Sequence, residues 1–178
     1  TVTPAKKPDQ PVVAAIALTP TVKQNGKATV TVPLQTVTDI ISKAASEAEM
    51  QGKTANGIGV SLKTENPAGT KSLDIVLTQA VLKKLIESKV QRLELDNSLL
   101  SISFDLEALK HIQSQSSGDV TVSVTPVTGL NSGAKALIGT RPVYNISINY
   151  VKDGKTISIP SLGNGTAMVS IPYTPGKK

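Results

Sequence analysis

The feature that most constrains this chain is an internal likeness. Residues Ile75-Val76-Leu77-Thr78-Gln79-Ala80-Val81-Leu82-Lys83-Lys84-Leu85 align without a gap on Ile102-Ser103-Phe104-Asp105-Leu106-Glu107-Ala108-Leu109-Lys110-His111-Ile112. In both stretches an extended apolar segment gives way to apolar residues spaced three and four apart, the change from strand to helix periodicity. Thr78 and Asp105 fall at the joint. A helix needs a side-chain oxygen there for its first free backbone N–H groups.

Each joint belongs to a longer strand-helix-strand unit, and a third unit precedes them. The first runs as strand Ala28 to Leu34, helix Thr36 to Met50 with Val37, Ile40, Ile41, Ala44, Ala45 and Ala48 on one face, and strand Ile58 to Lys63. The second is strand Leu73 to Leu77, helix Gln79 to Ser88 with Ala80, Val81, Leu82, Leu85 and Ile86, and strand Val90 to Leu95. The third is strand Leu100 to Phe104, helix Leu106 to Ser114 with Leu109 and Ile112, and strand Asp119 to Val124. Three copies with unequal loops point to one α+β body rather than an open solenoid. If each helix crosses between parallel strands, the crossovers are right-handed. Asp96-Asn97 marks a tight turn that joins the second and third units as a hairpin.

The last third is different. A short helical stretch, Ala134 to Ile138, ends at Gly139, and strands follow at Val143 to Val151, Thr156 to Ile159 and Ala167 to Tyr173. Asp153-Gly154 is a hairpin turn signal, so this part reads as a small antiparallel sheet appended to the three units. Residues 1–20 carry Pro4, Pro8, Pro11 and Pro20 with Lys6 and Lys7, the composition of an extended linker. Within it Val12 to Leu18 is apolar enough to add an edge strand to the body. The organisation expected is a linker at 1–20, one α+β module at 21–174 and a linker tail at 175–178. Val12 to Leu18 also has the length of a signal-peptide core, but it follows Asp9-Gln10-Pro11 instead of a basic segment. The chain therefore reads as a piece of something longer.

Composition narrows the functions such a body can serve. Of 178 residues, 39% are hydrophobic and 2% aromatic, namely Phe104, Tyr144, Tyr150 and Tyr173. The core must be built from Val, Ile, Leu and Ala, and few rings remain for stacking on bases, sugars or flavins. The net charge is +6, but only Arg92 and Arg141 are arginines, and the lysines pair only at Lys6-Lys7, Lys83-Lys84 and Lys177-Lys178. Specific phosphate and base recognition leans on the guanidinium fork, so no nucleic-acid partner is expected. Scattered lysines suit weak attraction to acidic cell-wall polymers. The absence of cysteine excludes disulfides, thiol catalysis and cysteine-ligated metals. No apolar stretch approaches the roughly 18 residues of a membrane span.

No catalytic constellation emerges. His111 is the only histidine, on the helix Leu106 to Ser114 between Lys110 and Ile112, where a partly exposed surface residue is expected. Acid pairs could come from Glu47/Glu49, Glu94/Asp96 or Asp105/Glu107; the last two have the spacing of caps and solvated charges at element ends. Gly57-Ile58-Gly59 and Gly163-Asn164-Gly165 read as turns, since neither opens a helix as a dinucleotide fingerprint does. An isopeptide link between a lysine and an asparagine beside an acid remains open, with no spacing that singles out a pair. Catalytic, cofactor-binding and metal-ligating residues are accordingly expected to be none, and no ligand-binding residue is assigned.

The C-terminal third carries a resemblance. Ile138-Gly139-Thr140-Arg141-Pro142-Val143-Tyr144-Asn145-Ile146-Ser147-Ile148, with Asp153-Gly154-Lys155-Thr156-Ile157 and Gly165-Thr166-Ala167-Met168-Val169-Ser170-Ile171-Pro172-Tyr173-Thr174, resembles an accessory segment of large extracellular proteins of Gram-positive bacteria. Those proteins also carry S-layer homology repeats, Ig-like modules or glycoside hydrolases. With Gly118-Asp119-Val120-Thr121-Val122-Ser123-Val124 and the strand-to-helix joints, the likeness spans about residues 28 to 174. Thr140 stands where an acid usually precedes Arg-Pro, and Leu162-Gly163 where Phe-Gly is usual. The resemblance implies a setting more than a reaction: a non-catalytic spacer or interaction module at the bacterial surface or secreted, whose partners are neighbouring domains, other surface proteins or acidic wall polymers. A carbohydrate-binding accessory domain is the alternative, and two exposed tyrosines in one groove would mark it. A cleft gathering Asp105, Glu107 and His111 would mark an enzyme.

Overall fold

The structure, a computed structural model, describes residues 10–23, 25–138 and 143–172. It is a mixed α+β body with eleven strands and four helices among those residues. In chain order these are β1 (Val12–Leu18), β2 (Thr21–Val22), β3 (Lys27–Thr31), α1 (Leu34–Met50), β4 (Ile58–Thr64), β5 (Ser72–Leu77), α2 (Gln79–Glu87), β6 (Val90–Asn97), β7 (Ser101–Asp105), α3 (Leu106–Gln115), β8 (Val120–Pro126), α4 (Ser132–Ile138), β9 (Tyr144–Lys152), β10 (Lys155–Ser158) and β11 (Ala167–Ser170). A short 3₁₀ turn, Thr54–Asn56, leads into β4.

The strands form two mixed sheets. Sheet A has the order β1-β4-β6-β7-β11, and sheet B the order β10-β9-β8-β5-β3-β2. Along β5, β6, β7 and β8 alternate residues are buried: Leu93 and Leu95 on β6, Ile102 and Phe104 on β7, Leu73, Ile75 and Leu77 on β5, Val120, Val122 and Val124 on β8. Each sheet thus has an apolar inner face and a polar outer one, the signature of a half-covered sheet. The helices supply the cover through Val37, Ile40, Ile41 and Ala44 of α1, Val81, Leu82 and Leu85 of α2, and Ala108, Leu109 and Ile112 of α3. The inner faces of both sheets and these helix faces merge into one buried cluster.

Each of α1, α2 and α3 links strands of different sheets, whereas α4 joins β8 to β9 within sheet B. The chain passes from β3 in sheet B through α1 to β4 in sheet A, from β5 in sheet B through α2 to β6 in sheet A, and from β7 in sheet A through α3 to β8 in sheet B. No helix therefore crosses between parallel strands of one sheet, and the handedness rule for such crossovers has nothing to act on. The third unit runs opposite to the second, so β5 pairs antiparallel with β8 and β6 with β7. The offset that carries Leu77 onto Phe104 also carries Leu93 onto Val120. Under it the observed pairs Leu77↔Val120 and Leu93↔Phe104 exchange places.

Some expectations need correction. The last third forms no separate antiparallel sheet: β9 pairs with β8 in sheet B and carries β10, while β11 pairs with β7 in sheet A. The reason lies in the pattern of β9. Tyr144, Ile146, Ile148 and Tyr150 stand in register with Pro126, Val124, Val122 and Val120, so joining the open edge of β8 prolongs an existing apolar row. The strand expected from Ala28 to Leu34, β3, stops at Thr31, and Pro33 takes the N-cap position of a helix that already includes Leu34. Asp96 and Asn97 stay in β6; the hairpin turn follows them, and the Asn97 side-chain oxygen accepts from Leu99 N (2.8 Å) and Leu100 N (3.2 Å). Asp153 and Gly154, both at positive φ, close the β9–β10 hairpin. Gly139, Arg141, Pro142 and Tyr173, which the sequence reading used, lie outside the described residues.

Candidate functional site

The densest polar arrangement lies on the outer face of sheet A, where strand alternation lines up side chains of one parity. Gly59, Arg92 and Asp105 form one cross-strand row, Ser61, Glu94 and Ser103 the next, Lys63, Asp96 and Ser101 the third. Arg92 Nε donates to Ser103 Oγ at 2.7 Å, and its Nη2 lies 3.2 Å from Glu94 Oε2. Ser101 Oγ donates to Asp96 Oδ1 at 2.7 Å. The Ser61 hydroxyl is buried without a partner. At one end of this face a cleft of about 400 Å³ opens among Pro11, Arg92, Ser103, Asp105, Thr166 and Met168.

Asp105 holds the cleft together. As the α3 N-cap its Oδ1 accepts from Ala108 N at 2.8 Å, and the same carboxylate accepts from Thr166 N at 3.1 Å and Thr166 Oγ1 at 2.8 Å. Burial works to raise its pKa, but the bonds from Ala108 and Thr166 outweigh it and hold the carboxyl below the ordinary 3.8. This carboxylate is spoken for as a clasp between α3 and the loop leading into β11, and is poorly suited to take a substrate proton. The linkage has a definite sign. A depressed native pKa contributes stability that is present above pH 3.8 and lost as pH falls through the native value. Asp105→Asn keeps an N-cap oxygen but removes the charge. Stability by chemical denaturation should therefore fall less steeply below pH 3.8 in this variant than in the parent; equal slopes would dismiss the clasp's electrostatic role.

The other candidates are dispersed. His111 lies in a second cleft of about 470 Å³ with Glu107, Lys110, Ser114, Gly163 and Asn164. Glu107 there is ion-paired to Lys110 at 2.8 Å. Asp105 opens on the other cleft, so Asp105, Glu107 and His111 are not gathered into one. Glu49 lines a third cleft, of about 530 Å³, with Asn56, Ser88, Lys89 and Gln91 over a floor of Ala45 and Ala48, and Glu47 is not part of it. Glu94 and Asp96 share one face of β6, each already bonded to Arg92 or Ser101. Gly57 closes the 3₁₀ turn, but Gly59 lies inside β4, where a side chain would run into Val13 at 2.8 Å. Among the described residues no cluster of three His, Asp or Glu could hold a metal ion.

Tyr144 and Tyr150 occupy the same inward face of half-buried β9, six residues and so roughly 20 Å apart. They pack on the core. The basic charge is thinly spread on the body: among described residues fourteen Lys and Arg face twelve Asp and Glu. Lys83 of α2 and Lys110 of α3 are each paired within their own helix, to Glu87 and Glu107. The buried polar residues are Ser61, Thr64 and Asn97, so no described lysine is buried beside an asparagine and an acid. No helix among the described residues is long and apolar enough to cross a membrane.

Sequence reasoning missed Gly165 and Thr166. The Gly163-Asn164-Gly165 string announces a turn, but nothing in it names α3 as the surface the turn rests on. Compared with protein-family models, with curated proteins and with solved structures, the chain matches none.

Proposed function

We propose that the chain is a non-catalytic, load-bearing spacer module of a bacterial cell-surface or secreted multidomain protein. One observation carries the mechanical part of this reading. β1 and β11, the first and last strands of the described chain, are the two opposite edges of sheet A. β1, β4 and β6 run parallel, β7 runs against them and β11 against β7, so β1 and β11 point the same way. The chain therefore enters the sheet at one end of one edge and leaves at the other end of the opposite edge. Tension applied through flanking chain then pulls along the strands, loading each ladder's hydrogen bonds together instead of one at a time.

The setting is supported by the resemblance of the C-terminal third, and the spacer role by the structural employment of the acids that could have done chemistry. Neighbouring domains of the same polypeptide are the primary partners, and acidic wall polymers or other surface proteins secondary ones. The three strand-helix-strand units read as copies of one unit; the exchange of Leu77↔Val120 and Leu93↔Phe104 supports this for the second and third.

Single-molecule pulling tests the mechanical role. The described chain has no cysteine, so attachment points are free to choose. Pulling through Gln10→Cys and Pro172→Cys should require a markedly higher force, at one loading rate, than pulling through Gln10→Cys and Ala55→Cys, which peels β1 from the neighbouring end of β4. Equal or inverted forces would remove the load-bearing reading.

A further inference from the structure

The four sheet edges are not treated alike. β2 is two residues long between Pro20 and Lys23, β10 has four residues and begins with Lys155, and β11 has four and is followed by Pro172. Shortness, lysine and proline are the usual guards against edge-to-edge pairing. β1 is flanked by Pro11 and Pro20 but carries no guard within its span. It is seven residues of Val-Val-Ala-Ala-Ile-Ala-Leu, with no charge and no proline.

The parity of β1 can be fixed. Val12 N donates to Gly57 O at 3.3 Å, and Leu18 O accepts from Glu65 N at 3.1 Å. In a parallel ladder the residues between follow suit, so Val12, Ala14, Ile16 and Leu18 direct their N–H and C=O groups at β4. Val13, Ala15 and Ala17 direct theirs at the open edge, and among the described residues no strand pairs with it.

From this we propose that β1 pairs antiparallel with β1 of a second copy of this chain, centred on Ala15, joining two five-stranded sheets into one across a two-fold axis. The register follows from the parity. Ala15 exchanges both of its bonds with its own equivalent, and Val13 does so with Ala17. The side chains suit that register: Ile16 meets Ala14 and Val13 meets Ala17, large against small, while Val12 meets Leu18 at either end. Ile16 and Leu18, only half-buried at the edge of the inner face, gain cover. No charge meets its like, and the isologous geometry closes at a dimer without propagating. A single strand pair is small beside the roughly 1,000 Å² of a stable interface, so the association is weak.

Sedimentation velocity on the folded chain, from micromolar to about 1 mM, gives the test. The parent should show a reversible, concentration-dependent monomer–dimer shift, with slowed amide exchange at Val13, Ala15 and Ala17 in the dimer. Ala15→Pro removes an N–H that β4 does not use, and proline is tolerated at such edge positions. Ala15→Lys keeps the N–H but sets two ammonium groups face to face across the axis. Each should weaken dimerisation at least tenfold while leaving the circular dichroism spectrum unchanged, and if one variant misfolds the other decides. A parent that stays monomeric throughout, or variants that associate as the parent does, would overturn the proposal.

Discussion

Replacing Phe104 by alanine should destabilise the protein by about 3 to 5 kcal/mol, the range for deleting a large buried ring. Phe104 is the only phenylalanine, is 1% exposed, and stands on β7 between Leu93 of β6 and Ala167 of β11. The cluster it belongs to is aliphatic and held by paired strands and helices, so it has little freedom to fill the space the ring leaves. Since whole domains are stable by only about 5 to 15 kcal/mol, the loss is a large share of the total. Urea denaturation followed by circular dichroism reads it directly, with Val151→Ala, at a position 57% exposed, as a control expected within about 0.5 kcal/mol of the parent. A Phe104→Ala variant as stable as the control would mean that the buried cluster does not close around this ring.

Gly165→Ala should be costly for a different reason. A β-carbon there would be driven into the backbone of the first turn of α3, against Ala108 N and Cα and Glu107 C. Backbone held in a helix cannot rotate away as a side chain can, so relief requires the loop to lift. Lifting it breaks the bonds from Thr166 to Asp105 and loosens β11, which among the described strands is held by β7 alone. We expect a loss of about 2 to 3 kcal/mol, the upper part of the range for overpacking. Faster amide exchange should concentrate in Ala167–Ser170. Gly133→Ala, where only Asn131 Oδ1 at 3.6 Å is near, should leave both readouts unchanged. Undisturbed exchange in β11 with Gly165→Ala would show that the loop does not depend on its close seat against α3.

The elements and the helix caps were legible because they depend on local chemistry. Thr78 accepts from Val81 N at 3.2 Å and Asp105 from Ala108 N at 2.8 Å, each at the joint where the periodicity changes. The sheet to which a strand belongs was not legible. Alternation in Ile146-Ser147-Ile148 states that one face is covered, and is the same statement for sheet A, sheet B or a separate sheet. The offset between Leu77 and Phe104 could be read along the chain, but not the reversal that sets the third unit against the second, since direction in space leaves no mark on one strand. The clasp was half visible: Asp105 was recognisable as a cap, whereas Thr166, sixty-one residues on, becomes its partner only once β11 lies beside β7.

Because α1, α2 and α3 each change sheets, neither sheet is contiguous in the chain. Sheet A draws on residues from Val12 to Ser170, and sheet B on residues from Thr21 to Ser158. Synthesis from the N-terminus cannot complete either one early: after β6 has emerged, sheet A still lacks β7 and β11 and sheet B still lacks β8, β9 and β10. Such interleaving puts much of the pairing at long sequence separation, which slows folding. A chain arranged in this way can close its buried cluster, which includes Val120, Val122, Val124 and Ile159, only after β8 to β10 have joined the strands made before them, whereas β11, exposed along its length, adds an edge to a core already shut.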